Sequence, residues 1–459
     1  MYESFFEPKH MAVIGVSLTN DRHPANIIYN KNRLRYPVNV YPINPKGGTI
    51  LGETVYQSIG DVPEQVDLAV IAVGAEHVAK VLKECINAGA KAGVIVSGGF
   101  SETGRTDLQD EISALANDAN FPFVGPNCLG VYSPGFVNTL FLPGERMVTP
   151  SEGNVSLVSQ SGGVLVDQLV KFSLEGVGVS RAVSIGNKAG LDECDLLEFL
   201  VDDPKTNVLA FYVEGFDGDE GRRFLEAAKA SPKPVIALKA GKSETGRRAI
   251  STHTASLAGD YEVFQGVLSQ HGVVEARDEL ELVSYCEVLS CYQNSIAGSV
   301  AVVSGSGGHG ALAVDTCAAH GLAVPMMSEK MQEELLSTVS PSIRNIASMT
   351  NPFDLTGSAV DDDFVTVTKF ISTWDDIDCI IMLLLPYIPG ITSDVGARLS
   401  EISYTSGKPL VAYVPHVERY RMLIEGFELN GIPVSPSIHS AVLMAEALKK
   451  YRRAQGAGT

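Results

Sequence analysis

Val155-Ser156-Leu157-Val158-Ser159-Gln160-Ser161-Gly162-Gly163 passes from a short apolar run into a Ser/Gly turn and then into a helical pattern. The same passage occurs at Met11-Ala12-Val13-Ile14-Gly15-Val16-Ser17 and at Val300-Ala301-Val302-Val303-Ser304-Gly305-Ser306-Gly307-Gly308. Each reads as the opening of a parallel βαβ domain. Around the first opening, strands expected at 39–43, 68–73 and 93–96 alternate with helical stretches such as 77–88. Right-handed crossovers then place every turn on one edge of a doubly wound sheet. The second opening is followed by strands near 208–213 and 235–239. The third is followed by strands near 379–385 and 410–414 and a closing amphipathic helix near 440–452. Polar connectors at Thr149-Pro150-Ser151-Glu152-Gly153 and Gln293-Asn294-Ser295 set expected domains of 1–147, 148–295 and 296–459. The expected fold class is α/β, three doubly wound domains with mostly parallel sheets.

Bulk properties fit that class. The chain has 459 residues, 45% hydrophobic, with one Trp and 44 Gly, as suits a soluble α/β protein with many tight turns. Its formal charge of −19 argues against nucleic acid, whose phosphates are held by excess Lys and Arg, and against anionic membrane surfaces. Seven cysteines are scattered without CxxC pairs, which reads as free thiols in a reducing compartment. Cys128 has no histidine close in sequence to activate it and is assigned no chemistry. MYESFFEPKH lacks the basic and apolar regions of a signal peptide, and no apolar run reaches spanning length. The expected location is cytoplasmic.

The first turn, Gly15-Val16-Ser17-Leu18-Thr19-Asn20, is not the GxGxxG of a nicotinamide site. After the second strand comes Asn44-Pro45-Lys46-Gly47-Gly48, where an acid would hold a ribose diol. Lys46 instead favours a nucleotide with an extra phosphate near its ribose, as in coenzyme A. NADP satisfies that logic less well, and a Rossmann-like domain without ligand is the third alternative.

Ser161-Gly162-Gly163 and Gly307-Gly308-His309-Gly310 each put free backbone N–H groups at a helix mouth, where anions bind. Between them in sequence, Lys239, Lys242, Arg247 and Arg248 precede Ser251-Thr252-His253-Thr254-Ala255-Ser256. Read alone, His253 opens a helix beside a hydroxyl cap and the basic residues form a solvated face. Read with both glycine turns, it is a histidine that carries phosphate between them. No GxxxxGK[ST] is present, so the nucleotide is expected on another polypeptide.

Several segments together resemble the alpha subunit of the ADP-forming (NDP-forming) acyl-CoA synthetases, acetate–CoA ligase type, related to succinyl-CoA synthetase. They are Gly15-Val16-Ser17, Tyr41-Pro42-Ile43-Asn44-Pro45-Lys46, Ser97-Gly98-Gly99-Phe100-Ser101-Glu102, Gly125-Pro126-Asn127-Cys128-Leu129-Gly130, Val158-Ser159-Gln160-Ser161-Gly162, Thr252-His253-Thr254 and Asn351-Pro352-Phe353-Asp354-Leu355-Thr356-Gly357. The resemblance implies a Rossmann-like CoA-binding domain followed by two flavodoxin-like ligase domains. It implies His253 as the phosphorylated residue, with Glu214 orienting its ring. Gly15, Ser17, Lys46, Val73, Ser97 and Asn127 would bind CoA. Ser161, Gly162, Gly163, Gly307, Gly308, His309 and Gly310 would bind phosphate, and Asn351, Asp354, Thr356 and Gly357 would meet the small carboxylic acid. No metal site is expected on this chain. ATP or ADP and Mg²⁺ would sit on an ATP-grasp beta subunit in an alpha2beta2 assembly. Ala255 stands where the family commonly has Gly, and His309 where it commonly has Pro. Neither change removes a required functional group. A CoA-binding sensor without turnover and an NADP-dependent oxidoreductase are the competing readings.

Overall fold

The computed structural model describes residues 2–251 and 261–457, and His253 lies outside them. The chain divides into two compact units, Met1–Glu275 and Ala276–Thr459. In the first unit, β1 (His10–Ile14), β2 (Asn39–Ile43), β5 (Leu68–Ile71), β6 (Ala92–Ile95) and β7 (Phe123–Val124) form a parallel sheet in the order β2-β1-β5-β6-β7. A small antiparallel hairpin, β3 (Gly48–Ile50) with β4 (Glu53–Val55), follows β2.

A second sheet contains β8 (Gly130–Ser133), β9 (Val137–Asn138), β10 (Glu152–Ser159), β11 (Val179–Ser184), β12 (Val208–Val213), β13 (Val235–Lys239) and β14 (Val273–Ala276). Its order is β14-β13-β12-β10-β11-β8-β9, with β10 to β13 parallel and the β8–β9 ribbon antiparallel. In the second unit, β15 (Val300–Ser304), β16 (Phe353–Asp354), β17 (Cys379–Leu383), β18 (Leu410–Tyr413) and β19 (Val434–Ser435) form a parallel sheet ordered β16-β15-β17-β18-β19. The α/β class with mostly parallel sheets expected from the three openings is the observed one.

All three sheets share one winding. The opening strand lies between the second and the third parallel strand, so the chain changes winding direction beside it. A crevice at the carboxyl ends of the strands follows from that reversal. The central strands are mostly apolar because helices cover both faces: Met11, Ala12 and Val13 in β1 and Val208 to Phe211 in β12 are all fully buried. After β10, the helix Gly162–Leu174 buries Leu165, Gln168, Leu169 and Phe172, spaced to fall on one face. Burial of its three apolar members stabilises that helix by about 1.5–3 kcal/mol each.

Four strands end one or two residues before the apolar runs that announce them. Val73, Val96, Leu385 and Val414 fall in the turns just past β5, β6, β17 and β18. Among the described residues no helix is long and apolar enough to cross a membrane. All seven cysteines are free thiols. Burial pushes the Cys128 thiol up to about 12, and its Sγ lies 3.3 Å from the Ile95 carbonyl. It is not a thiolate.

Candidate active site

The carboxyl edge of the first sheet holds a cavity of about 720 Å³. It sits where β1 and β5 part, and its walls include Gly15, Val73 and Ser97 from the expected CoA set. Gly15 has φ +102°, and a Cβ there would overlap the Ala72 carbonyl oxygen, so the two strands approach as only glycine permits. Ser17 shapes the turn rather than the wall: its Oγ accepts from the N–H of Asn20 at 3.1 Å, and its backbone exchanges two bonds with the Asn26 amide. Lys46 is exposed beside the wall residues Asn44 and Pro45, its N–H bonded to Asn44 Oδ1 at 2.9 Å. Asn127 is exposed with φ +55°, and its N–H donates to the carbonyl of Ser97 at 2.8 Å.

Sequence reasoning did not single out His23, His77, Lys80 or Phe141, which also line this cavity. His23 caps the helix Pro24–Arg35, its Nδ1 accepting from Ala25 N–H at 3.3 Å, and burial holds its pKa below the usual value. The His-Pro pair at a helix start was the available signal. Gly74 caps the helix Ala75–Asn87 and also lines the wall, bringing that helix's unpaired N–H groups to the cavity.

The loops at the carboxyl edges of the first two sheets meet. Asn187, in the loop after β11, accepts from the Asn127 amide at 3.1 Å and donates to Glu102 at 2.5 Å. Glu102 also accepts from the N–H groups of Gly99 and Phe100, at 2.6 and 3.2 Å. Burial pushes the Glu102 carboxyl up, but these bonds outweigh it and hold the group below its ordinary range. Gly162 packs so tightly on Leu129 that an added Cβ would lie 2.7 Å from Leu129 Cγ. The segment Asn127 to Leu129, bonded to the cavity wall at Ser97, therefore also packs on the mouth of the Gly162–Leu174 helix.

That mouth is built by paired serines. Ser159 Oγ donates to the Ser161 carbonyl at 2.7 Å and accepts from its N–H at 3.1 Å, and Ser161 Oγ accepts from Val164 N–H at 3.4 Å. Glu214 follows β12 directly and is buried, with Tyr212 donating to its Oε1 at 3.4 Å. Lys239, at the end of β13, donates to the Glu214 carbonyl at 2.6 Å. Burial pushes the Lys239 amine down to about 8, against the pull of Glu214. Glu193 is fully buried, 3.7 Å from Lys188 Nζ, and burial pushes its carboxyl up to about 7, with Lys188 opposing. Burial lowers the Lys188 amine, but Glu193, Glu220 at 2.5 Å and Asp217 outweigh it and keep it charged.

In the second unit the same serine device recurs: Ser304 Oγ donates to the Ser306 carbonyl at 3.1 Å and accepts from its N–H at 3.1 Å. The helix Gly307–Ala319 starts there, with His309 Nδ1 3.1 Å from Ser306 Oγ and Gly310 buried. Asp354 faces this helix mouth closely: a Cβ on Gly307 would lie 2.8 Å from its Oδ2. Its Oδ1 accepts from Thr356 N–H at 2.9 Å, and Thr356 has φ +66°. Gly357 follows with open space around it, and Gly308 is exposed. Asn351 is buried and engaged inward. Its Oδ1 accepts from Val302 N–H at 3.0 Å, and its Nδ2 donates to the carbonyls of Val300 and Pro325 at 3.0 and 2.9 Å. Among the described residues, no group of three or more His, Cys, Asp or Glu side chains is placed to hold a metal.

Comparison with known proteins bears on these edges. Residues 9–134 match a CoA binding domain, and 152–289 a succinyl-CoA ligase like flavodoxin domain. The alpha subunit of acetate–CoA ligase (ADP-forming) II of Pyrococcus furiosus is 34% identical over all of this chain and 99% of its own length. The chain belongs to the ADP-forming acetate–CoA ligase family. The family's Methanocaldococcus jannaschii acetate–CoA ligase (ADP-forming) is 37% identical over 77% of this chain, which spans about half, 49%, of that longer protein. Acetyl-coenzyme A synthetase 1 of Ca. Korarchaeum cryptofilum, solved in complex with phosphate and ADP, superposes with a TM-score of 0.87 at 30% identity. That superposition covers 100% of this chain and 98% of the other.

Proposed function

We propose that the chain is the alpha subunit of an acid–thiol ligase that reversibly converts a small carboxylic acid, CoA and ATP to acyl-CoA, ADP and phosphate. Residues 1–147 would bind CoA, 148–295 would carry the phosphohistidine and 296–459 would form the second flavodoxin-like part. The observation that carries the reading is the segment Asn127 to Leu129, bonded to the cavity wall at Ser97 and packed on the helix mouth at Gly162. A thiol bound along the first sheet would then work beside a turn that accepts phosphate.

In the direction that forms ATP, the acyl-CoA thioester is cleaved by phosphate. Phosphate attacks acyl-CoA, releasing CoA thiolate and forming an acyl phosphate. His253 takes the phosphoryl group, leaving the free carboxylate, and passes it to ADP. The helix mouth at Ser161 to Gly163 would stabilise the charge on the moving phosphoryl group. Glu214 would accept from one ring nitrogen of His253 and free the other to attack. Gly307 to Gly310 is the second phosphate-binding turn of the proposal. Asp354, Thr356 and Gly357 are its acid-binding groups, held by the inward ties of Asn351.

The alpha-subunit designation of the Pyrococcus furiosus relative supports a partner chain, proposed as an ATP-grasp beta subunit with ATP and Mg²⁺, in an alpha2beta2 assembly. A cytoplasmic location is part of the same reading. The chain mixed with its beta subunit and radiolabelled ATP should take up acid-labile, base-stable phosphate. His253→Ala should abolish the label while CoA binding stays intact. An unlabelled wild type that still binds CoA would favour the non-catalytic sensor.

A further inference from the structure

Resting on the phosphohistidine reading, we infer that Gln160 is a positioning residue that fixes Glu214 relative to the helix mouth. The Gln160 side chain spends its whole hydrogen-bonding capacity on two neighbouring loops. Its Oε1 accepts from the N–H of Glu214 and, at 3.1 Å, from that of Gly215. Its Nε2 donates to the Gly215 carbonyl at 2.7 Å and to Glu193 Oε1. An amide has two donor hydrogens and an acceptor oxygen with two lone pairs, so this set leaves none of them over.

The clamp orients what the mechanism needs. Gln160 directly precedes Ser161, the cap of the helix Gly162–Leu174, so the residue that binds Glu214 is joined by one peptide bond to the phosphate turn. Glu214 is held from both sides of its backbone, by Gln160 at its N–H and by Lys239 at its carbonyl. Glu193 in turn fixes the amide's rotation, and Lys188 steadies the same corner, 3.4 Å from the Gly215 carbonyl. Gln160 touches neither substrate nor phosphoryl group in this scheme. It acts through Glu214.

Glutamate at position 160 would keep an acceptor for the two N–H groups, but it would set a second carboxylate against Glu193 and turn an oxygen toward the Gly215 carbonyl in place of a donor. That gives a test with a built-in rescue. In the alpha–beta holoenzyme, Gln160→Ala should slow labelling of His253 by radiolabelled ATP on the order of 100-fold, the loss expected when a reacting group shifts by about 1 Å. CoA affinity should be unchanged, since the cavity lies on another sheet. Gln160→Glu should be equally slow, and the exchanged pair Gln160→Glu with Glu193→Gln should recover at least tenfold of that loss. The exchange restores an acceptor for both N–H groups and one carboxylate between the two positions but not the donor to the Gly215 carbonyl, so recovery is partial. Labelling of Gln160→Ala within twofold of wild type overturns the role. So does an exchanged pair that regains the wild-type melting temperature while labelling no faster than Gln160→Ala. A wild type that takes no label overturns the phosphohistidine reading, and the role of Gln160 with it.

Discussion

Gly15→Ala is the substitution whose cost can be worked most directly from the structure. Gly15 sits at φ +102°, a backbone state that costs an L-residue about 1–2 kcal/mol. The new Cβ would overlap the Ala72 carbonyl oxygen and lie 2.9 Å from its carbon and 3.0 Å from Val73 Cγ1. Backbone cannot rotate away as a side chain can, so β1 and β5 must separate, an overpacking cost of about 1–3 kcal/mol. The sum is roughly 2–5 kcal/mol. Gly52→Ala is the matched control: φ is +84°, but nothing lies within 4 Å, so only the backbone part should appear. Urea unfolding followed by far-UV circular dichroism reads both variants. Calorimetric titration with CoA adds a second reading, because Ala72 and Val73 line the cavity and their displacement should weaken binding at least tenfold, about 1.4 kcal/mol. Equal destabilisation of the two variants, with CoA affinity unchanged, would refute the claim that close approach of β1 and β5 shapes the site.

Asn351→Ala should destabilise the second unit by roughly 3 kcal/mol or more, since it leaves a buried N–H and two carbonyls without their partner. The only tryptophan, Trp374, is buried in that unit, so its fluorescence in urea reports the loss. Ser161→Ala removes the cap on Val164 N–H and should cost about 1 kcal/mol of stability while slowing phosphoryl uptake. Quench-flow labelling compared with thermal melts separates the two effects. Glu193 gives a pH test. Its folded pKa of about 7 stands above its ordinary 4.5, so between those values the folded chain keeps a proton that the unfolded chain releases. Its contribution to stability therefore falls as pH rises from 4.5 to about 7. Glu193→Gln should remove that slope, and melting curves that keep the wild-type slope would count against the burial argument.

The sheets were legible because buried parallel strands are continuous apolar runs, and three of them open on Ser/Gly turns at Met11, Val155 and Val300. The ends of those strands were less legible, since apolar residues such as Leu384 and Leu385 continue buried into the turns. The two-residue strands β7, β9, β16 and β19 carry too few side chains to show a period. Glu214 could be picked out as an acid closing an apolar strand. Gln160 could not, because its partners are the Glu193 side chain 33 residues away and backbone groups 54 and 55 residues away in sequence. His23 and His77 are isolated in sequence, and only the crevice between β1 and β5 makes them neighbours of one cavity.

The β8–β9 ribbon bears on how this chain can be cut. It follows the first sheet without a break in sequence, yet it hydrogen-bonds along β11 of the second. A fragment beginning at residue 148 would leave the β11 backbone bare on that side, a row of unmatched donors and acceptors that invites aggregation with other molecules. A fragment ending at 147 would carry away a ribbon with nothing to lie against. Severed pieces should aggregate more readily than the intact chain, and adding the missing ribbon as a peptide should reduce aggregation of the longer fragment.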